Sequence, residues 1–567
     1  MSKKNKSGKG FSSISKKTSL KKILPMNVND CKIKEQQALT LINQGRPNQA
    51  ESIYKELIAA GSGSHITHGN LGVLLKARGD LLGAIACYEA ALKLNPNFID
   101  AHYNLGNALR KCGDLETAIY SYKNVLKLNP SHVDAHYNLG NALREKGDLV
   151  EAINSYKNAL KIKPSYAEVH NSLGNALQQQ GNLHSAMKSY TKALEIDPEN
   201  SNSFYFIGRI QAIQGDFKGC KNSFYKSTEL NPSNTYALFE LSRNINSDKE
   251  VDELVKQLGK VVTDRLNLEG KIMHEFSLAN LQHKLKNYSI AALHLSKANK
   301  LKISCKPSDL SRRILQTQEA TELARRIEEG SPSEGKGRIF IVGVPRCGST
   351  LLEGILSIDT NICDLGESTA LSQAMAQIQN SAKKTTSSLS IAYAEKINET
   401  LQNNLYTVDK NLYNFRFTEA IVRAMPAARI IHCRRHPLDT ILSMLRSNLQ
   451  IGNNYTSDPL DAAKLLIHQE EMMSRFKSIY GDHIFTFEYD AFTSEPKKQL
   501  LPLIDWLGLQ WNEKYLHPEA SKRFISTASI IQARQPIHNK SVGGWKNYRE
   551  LLKPAERILK ESGIFSL

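Results

Sequence analysis

A repeat of 34 residues constrains the fold of the first half of this chain more than any other feature of its sequence. Two series of glycines and one series of prolines keep this spacing over about six units. The first glycine series is Gly45, Gly79, Gly113, Gly147, Gly181 and Gly215, and the second is Gly72, Gly106, Gly140, Gly174 and Gly208. The prolines are Pro96, Pro130, Pro164, Pro198 and Pro232. A repeat of this length is one supersecondary unit, which buries its apolar face only by stacking on its neighbours.

Each unit also contains one small residue and, four positions later, one aromatic ring. The small residues are Ala50, Ala84, Ala118, Ala152, Ala186 and Cys220, and the rings are Tyr54, Tyr88, Tyr122, Tyr156, Tyr190 and Phe224. This combination resembles the tetratricopeptide repeat, in which small residues lie where two helices touch and a ring packs between them. His102 and His136 stand where that motif usually has Trp. The resemblance implies about six helix pairs over residues 31–245, stacked into an all-α superhelix with a concave inner face.

The repeats predict a protein or peptide partner. Two sets of asparagines share repeat positions: Asn70, Asn104 and Asn138 in one set, and Asn107, Asn141 and Asn175 in the other. Stacked copies would form ladders of amide groups, each offering a donor and an acceptor to an extended peptide. The alternative is that asparagine is simply common at these positions of regular repeats.

The composition excludes several classes of protein. A chain of 567 residues is too long for one core. Its apolar runs stay well short of the roughly 18 residues of a membrane helix, so no membrane span is predicted. Residues 1–30 are rich in Lys, Ser and Gly without the apolar centre of a secretory signal, which indicates a basic, disordered tail. The net charge of +18 suits anionic ligands or acidic partners, and without a basic stripe of interleaved aromatic residues no nucleic-acid partner is predicted.

The eight cysteines indicate a reducing compartment. They are scattered along the chain and form no C-x-x-C pair. That distribution argues against both a disulfide framework and a zinc site. A cytoplasmic location is the resulting expectation.

The pattern changes after the repeats. Residues 246–335 keep a helical pattern, include one further degenerate repeat, and end in a linker rich in Ser and Gly. From residue 336 to 567, short apolar strands alternate with helices. The predicted strands are Ile339–Val342, Ala428–Cys433 and His483–Tyr489. This alternation predicts a second domain of the α/β class, with a parallel sheet.

The turn after the first of these strands predicts a phosphate site. A helix is predicted to include Leu351–Leu356, so the turn presents backbone N–H groups and a helix N-terminus to an anion. The spacing Gly343-x4-Gly348 matches a Walker A loop, but Ser349 stands where that motif requires Lys. The candidate ligand-binding residues are Pro345, Arg346, Cys347, Gly348, Ser349 and Thr350, and Arg346 is the one cation among them. The loop therefore suits a phosphate-bearing nucleotide that need not be ATP.

A second strand-turn-helix segment runs from Arg429 to Ser443. Arg435 follows the predicted strand, at the sheet edge where ligands bind in such domains, and its guanidinium can hold a second phosphate. Ser443 lies two helical turns further on and would complete that site. The alternative is a surface arginine and an ordinary helix serine.

Together these segments resemble the sulfotransferase family, whose sulfonate donor is 3′-phosphoadenosine 5′-phosphosulfate (PAPS). The 5′-phosphosulfate loop of the family resembles residues 343–350, and its 3′-phosphate motif resembles residues 435–443. A third family motif resembles residues 541–548, with Trp545 and Lys546, but Gly544 stands where relatives have Arg. The chain most resembles the tyrosylprotein sulfotransferases and their bacterial relatives fused to tetratricopeptide repeats. The resemblance implies a P-loop-like domain over residues 336–567.

The resemblance also implies catalytic roles. Arg346 and the N–H groups around it would hold the 5′-phosphosulfate, and Lys410 would reach the transferring group. Asn411 departs from the family pattern beside that lysine. Glu367 would be a buried catalytic base that takes the proton of the acceptor. The alternatives are that Glu367 caps a helix, or that a histidine, His432 or His436, is the base.

Further residues would complete the donor site. Tyr489 matches a family aromatic residue near the adenine, and a plain core ring is the alternative for it. Trp545 and Lys546 would contact the donor from the third motif, and Arg534 and Lys540 are additional candidate cations. The sequence contains no metal-binding pattern, so no metal is predicted.

The sequence therefore predicts a PAPS-dependent sulfotransferase that modifies an acceptor hydroxyl. Protein tyrosine ranks first as the acceptor, with the repeats recruiting a protein partner or the substrate itself. A glycan or small-molecule acceptor is the alternative within the same class. A non-catalytic repeat scaffold is the alternative outside it, and a kinase-like P-loop enzyme is disfavoured by Ser349.

Overall fold

The computed structural model describes residues 27–245, 247–380, 388–397, 405–449, 452–520 and 535–566. Residues 1–26 of the predicted basic tail lie outside the described residues, and so does Arg534. The chain divides into two compact units, Met1–Asp197 and Pro198–Leu567. None of the described helices combines the length and the apolar character that a membrane span needs.

The described part of the first unit consists of helices that pack in consecutive pairs. They are α1 (Val28–Asn43), α2 (Pro47–Ala59), α3 (His65–Ala77), α4 (Leu81–Leu94), α5 (Ile99–Cys112), α6 (Leu115–Leu128), α7 (Val133–Lys146), α8 (Leu149–Ile162), α9 (Ala167–Gln179) and α10 (Leu183–Ile196). The predicted all-α repeat architecture is confirmed.

A contact between glycine and tyrosine explains the second glycine series. In the four pairs from α3 and α4 to α9 and α10, the ring from the second helix lies directly on a glycine of the first, as Tyr156 does on Gly140. The pair α1 and α2 has Ala38 at the glycine position. A Cβ on Gly140 would stand 2.6 Å from the ring of Tyr156, which is completely buried. A histidine stands at the position of the usual tryptophan and contacts the turn before its helix: Nε2 of His136 lies 2.9 Å from the carbonyl oxygen of Pro130. The spacing is therefore fixed by packing within each pair.

The predicted asparagine ladders make hydrogen bonds inside the repeats. The Tyr122 hydroxyl donates to Asn107 Oδ1 at 2.8 Å, and Tyr156 donates to Asn141 in the same way. In the other ladder, Asn138 donates to the Tyr103 hydroxyl and to Asn107. These bonds give the asparagines a structural role, and their contact with a peptide remains a prediction.

The second unit begins with helices and continues into the α/β domain. Its first helices are α11 (Ser201–Gln214), α12 (Phe217–Leu230), α13 (Thr235–Asn244), α14 (Asp248–Gly259), α15 (Leu268–Lys284), α16 (Tyr288–Cys305) and α17 (Leu310–Ala324). The helices α15 and α16 pack on each other and correspond to the predicted degenerate repeat.

A five-stranded parallel sheet forms the centre of the α/β domain, with strand order β2-β3-β1-β4-β5. The strands are β1 (Arg338–Val342), β2 (Ile362–Gly366), β3 (Tyr406–Asp409), β4 (Arg429–Arg434) and β5 (Ile484–Glu488). The three predicted strands and the parallel sheet are confirmed, but β2 and β3 were not predicted. Neither strand has the long apolar run by which the others were recognised. The strand β3 has only four residues, and β2 lies at the sheet edge, where most of its side chains are half-buried.

Helices cover both faces of this sheet. They are α18 (Ser349–Leu356), α19 (Ala370–Asn380), α20 (Leu389–Ile397), α21 (Thr418–Ala424), α22 (Pro437–Leu445), α23 (Pro459–Ile479), α24 (Tyr489–Ser494), α25 (Pro496–Trp506) and α26 (Arg549–Glu561). Along β1 the side chains alternate between two cores: Ile339 and Ile341 join one, and Phe340 and Val342 join the other. Such a doubly covered sheet leaves the carboxyl ends of its strands as the edge open to ligands.

The helices before the sheet hold the end of α22 in place. Asn299 donates to the carbonyl oxygen of Leu445 at 3.0 Å. His283 lies between Arg446 Nη1 at 3.1 Å and the hydroxyl of Tyr548 at 2.8 Å. Because arginine only donates, His283 accepts through Nε2 and donates through Nδ1. Burial, together with Arg446, lowers the pKa of His283 to about 3, which keeps the ring neutral.

Candidate active site

All five strands deliver a predicted site residue to the same edge of the sheet. Glu367 follows β2, Lys410 follows β3, and the 343–348 loop follows β1. Arg435 follows β4, and Tyr489 follows β5. Since the strands are parallel, these residues lie side by side at the carboxyl edge, although the chain separates the first from the last by more than a hundred residues.

Three residues of the loop after β1, Gly343, Arg346 and Gly348, have positive φ angles. Gly348, at φ 101°, precedes the first turn of α18 and lies against the ring of Tyr489, where a Cβ would come within 2.1 Å. Arg346 has φ 73°, a conformation that most side chains avoid. Its Nε donates to Ser443 Oγ at 2.9 Å. The two segments that the sequence singled out therefore meet at Arg346 and Ser443.

Arg435 closes the loop from the neighbouring strand. Its guanidinium donates to the carbonyl oxygens of Arg346, at 3.3 Å, and Ser541, at 3.0 Å, and lies 5.1 Å from the ring centre of Tyr489. Its Nε is buried without a hydrogen-bond acceptor among the described residues, because Asp490 Oδ1 is 3.9 Å away. Burial, and then Arg435, lower the pKa of Arg346 to about 10. Two crowded guanidinium groups with an unused buried donor fit a multiply charged anion.

The loop's other side chains differ in placement. Cys347 is buried and turns toward Cys433, whose thiol lowers the pKa of Cys347 to about 7. Ser349 and Thr350 begin α18 with buried side chains. Pro345 is buried as well. Because these side chains are buried, they pack inside the domain, and the backbone N–H groups of the loop are the groups left to bind the predicted phosphate.

One carboxylate that sequence reasoning missed holds the third motif. Asp439, in the first turn of α22, accepts from the backbone N–H of Gly543 at 2.6 Å and of Trp545 at 2.9 Å. The indole of Trp545 then stacks on His436, with ring centres 5.4 Å apart. Asp439 looked like an ordinary acidic residue at a helix start, and its partners lie a hundred positions away. By contrast, Lys546 is exposed, and its ammonium makes no hydrogen bond or ion pair with the described residues of the site.

A second cluster lies on the other side of the loop. Lys410 Nζ is 2.8 Å from Glu367 Oε1 and 3.8 Å from Glu353 Oε2, a carboxylate of α18 that the sequence did not suggest. Lys410 and Glu353 are each 1% exposed, whereas the side chain of Glu367 is 62% exposed. Glu367 is therefore not the buried carboxylate that was expected, because it follows the edge strand β2. Asn411, the departure from the family pattern, donates to the carbonyl oxygen of Ser368 at 2.8 Å.

The residue before Lys410 is a buried acid. Asp409 accepts from the Tyr393 hydroxyl at 3.1 Å, the Asn411 backbone at 3.1 Å and the Asn414 amide at 3.2 Å. Burial outweighs these bonds and raises the pKa of Asp409 from 3.8 to about 7. The acid thus binds a proton in the folded chain at pH values where the unfolded chain has lost it.

This raised pKa makes stability depend on pH. The contribution of Asp409 is fully present below pH 3.8 and is lost progressively until the pH passes about 7, because over this range the unfolded chain releases its proton while the folded chain keeps it. Asp409→Asn should remove that loss and stabilise the chain by roughly 2–4 kcal/mol at pH 8, with a smaller gain at pH 5. Denaturant unfolding of both proteins across this range is the measurement, with the exposed Asp264→Asn as control. Parallel curves for parent and variant would contradict the raised pKa.

Among the residues that the structure describes, no group of three or more His, Cys, Asp and Glu side chains is placed to bind a metal ion. The described side chains at the edge include the cations Arg346, Arg435 and Lys410, with the exposed carboxylate of Glu367 beside Lys410.

Family models match both the repeats and the α/β domain. Residues 338–513 match the model described as "Sulfotransferase family". Residues 72–111, 106–143 and 140–181 match a model described as "TPR repeat", and residues 167–200 and 201–234 match models described as "Tetratricopeptide repeat".

The similar proteins resemble parts of the chain. A protein of Aquifex aeolicus (strain VF5), described as "Uncharacterized protein", is 26% identical over 262 residues, which are 42% of this chain and 34% of that protein. The protein in the crystal structure of MamA has 27% sequence identity to this chain; the matched region covers 28% of this chain and 94% of that one, with a TM-score of 0.27. YrrB, described as a TPR protein with an unusual peptide-binding site, has 22% sequence identity; the matched region covers 33% of this chain and 96% of YrrB, with a TM-score of 0.29. The chain thus joins tetratricopeptide repeats to a domain of the sulfotransferase family.

Proposed function

We propose that this chain transfers a sulfuryl group from PAPS to the hydroxyl of an acceptor, with protein tyrosine as the preferred acceptor. The observation that carries the proposal is the convergence at one sheet edge of two arginines on one side of a helix N-terminus and a Lys–Glu pair on the other. The arginines suit the phosphates of the donor, and the Lys–Glu pair suits a transferring group and its acceptor.

The donor would be held by the loop and by the segments around it. Arg346 and the N–H groups at the start of α18 would bind the 5′-phosphosulfate. Arg435 and Ser443 would bind the 3′-phosphate, and the buried Nε of Arg435 supplies a donor for it. Tyr489 and Trp545 would flank the nucleotide with their rings. Lys546 and the exposed Lys540 would add positive charge at the rim.

The transfer is a displacement at sulfur. The acceptor oxygen forms a bond to sulfur, the bond between sulfur and the bridging phosphate oxygen breaks, and the phosphate leaves with the electron pair. Glu367 takes the proton of the acceptor hydroxyl, and its exposure gives a large acceptor access to it. Lys410 and Arg346 offset the charge that develops on the oxygens of the transferring and leaving groups.

The repeats are proposed to bind a protein, either the acceptor or a separate partner. Stacked helix pairs of this kind form extended surfaces for peptides and proteins. An acidic sequence around the modified tyrosine would suit the excess of basic residues in the chain. A cytoplasmic location remains part of the proposal.

The test is a transfer assay with the purified full chain and radiolabelled PAPS. We expect label to enter a peptide that carries one tyrosine among acidic residues, and not the same peptide with phenylalanine. Excess 3′-phosphoadenosine 5′-phosphate should compete, and excess ATP should not. Equal competition by ATP, or no nucleotide binding at all, would contradict PAPS as the donor. Label in a glycan or small molecule of a cell extract, with none in peptides, would leave the donor assignment and replace the acceptor.

A further inference from the structure

The ammonium group of Lys410 is shared between two carboxylates of opposite character. Glu353 Oε2 lies 3.8 Å from it on the side of α18, and Glu367 Oε1 lies 2.8 Å from it at the edge strand. Lys410 and Glu353 are both almost completely buried, and Glu367 is mostly exposed. One partner is therefore fixed inside the protein, while the other faces the solvent.

The pair with Glu353 is buried on both sides. A buried ammonium or carboxylate without an opposite charge is strongly unfavourable, and removing one partner leaves the other uncompensated. Glu353 belongs to α18, the helix whose N-terminus forms the predicted phosphosulfate site. It therefore anchors Lys410 beside that site whatever else the lysine contacts, and acts as a positioning residue.

The pair with Glu367 can open. The backbone on both sides of Glu367 is fixed, because Gly366 O accepts from Lys410 N at 2.9 Å and Ser368 O accepts from the Asn411 amide at 2.8 Å. Its side chain, in contrast, is 62% exposed, so solvent screens one half of the pair and lowers the free energy needed to open it. A sulfonate arriving beside Lys410 is a second anion that can form charge-assisted hydrogen bonds with the same ammonium. The pair can thus be exchanged without moving the backbone.

We propose that Lys410 changes partner when the donor binds: it leaves Glu367 for the sulfonate of the donor, and Glu353 holds it during the exchange. This inference rests on the proposed function. Before the donor arrives, the lone pairs and the charge of Glu367 are engaged by the ammonium. Afterwards, Glu367 is free to accept the proton of the acceptor. The site therefore orders its own substrates, since the donor makes the base available.

Two nucleotides that differ only in the sulfonate test the exchange. PAPS must break the Lys410–Glu367 pair in order to bind, whereas 3′-phosphoadenosine 5′-phosphate leaves it intact. We expect Glu367→Gln to raise the preference for PAPS over the sulfonate-free nucleotide by about threefold to tenfold, the range expected for a partly exposed ion pair. Calorimetric titration of the full chain with each nucleotide gives this ratio without an acceptor.

A second background separates the exchange from simple charge repulsion. The paired change Lys410→Gln with Glu353→Gln removes both buried charges together, so neither is left alone. In this background, Glu367→Gln should no longer alter the ratio, because the ammonium that changes partner is missing. Repulsion between Glu367 and the sulfonate would instead raise the ratio equally in both backgrounds, and that result would overturn the proposal.

The remaining outcomes are also decisive. Glu495→Gln removes an exposed carboxylate of the same domain that pairs with Lys498, and should leave both affinities unchanged. An unchanged ratio for Glu367→Gln in the native background would overturn the exchange while leaving the proposed function intact. Failure of the unaltered chain to bind either nucleotide would reject the proposed function, and the exchange with it.

Discussion

Replacing Arg435 by Ala is expected to weaken binding of 3′-phosphoadenosine 5′-phosphate by roughly a hundredfold or more, the effect of truncating one partner of a buried, hydrogen-bonded charge pair. The guanidinium is 8% exposed, contacts the loop through Arg346 O, and keeps one buried donor for the ligand. Arg435→Lys should recover only part of the affinity, because an ammonium lacks the planar fork that binds a phosphate through two bonds. Calorimetric titration of the full chain measures both effects.

The neighbouring arginine provides the control. Arg434 pairs with Glu470 at 3.0 Å and Glu488 at 2.9 Å, and so has its own anionic partners. Arg434→Ala removes the same charge one position earlier and should change nucleotide affinity by less than about threefold, because the guanidinium is held by its own two carboxylates and not by the ligand. Equal losses in the two variants would mean that Arg435 acts through the general field of the domain, and the 3′-phosphate assignment would be wrong.

Glu367→Gln is expected to lower kcat by about a hundredfold to ten-thousandfold, the usual contribution of a general base. The amide keeps the size of the side chain and cannot take the proton of the acceptor hydroxyl. Binding of 3′-phosphoadenosine 5′-phosphate should survive, so that the loss appears in kcat rather than in donor affinity. The rate of label transfer to the tyrosine peptide at saturating PAPS measures it, with Glu495→Gln as the control.

Full activity of Glu367→Gln would reject this residue as the base. The two histidines considered from the sequence are poor replacements. Burial lowers the pKa of His432 to about 3, and its Nε2 lies 2.8 Å from the Gln469 amide inside the core. His436 stacks on Trp545 and is part of the third motif's packing. Both lie in β4 or directly after it, whereas Lys410 follows β3 on the other side of β1.

The parts of the site that could be predicted are motifs whose residues lie close together in the sequence. Gly343, Gly348 and the helix after them define a phosphate loop within a few residues, and Arg435 to Ser443 spans one strand end and one helix. The repeats could be predicted equally well, because the glycines and the rings that meet in most of the pairs recur every 34 residues. A sequence pattern that repeats, or that lies within one turn of the chain, can be recognised without knowing which distant residues contact it.

The parts that could not be predicted depend on contacts between distant positions. Glu353 and Asp439 are acidic residues in short helices, and nothing in their neighbourhood reveals that one holds Lys410 and the other holds the backbone at Gly543. The expected burial of Glu367 failed for a related reason. Its exposure follows from β2 being the edge strand, and strand order is a property of the whole sheet.

The way in which Asp439 holds the third motif has a consequence for sequence drift in this domain. It binds the main-chain N–H groups of Gly543 and Trp545, which every substitution other than proline retains. A Cβ at Gly544 would lie 3.8 Å from Asp439, in ordinary contact. The position is thus open to many side chains, and an arginine can be lost or regained there without undocking the segment. The charge of residue 544 can vary because Asp439 binds only the backbone on either side of it.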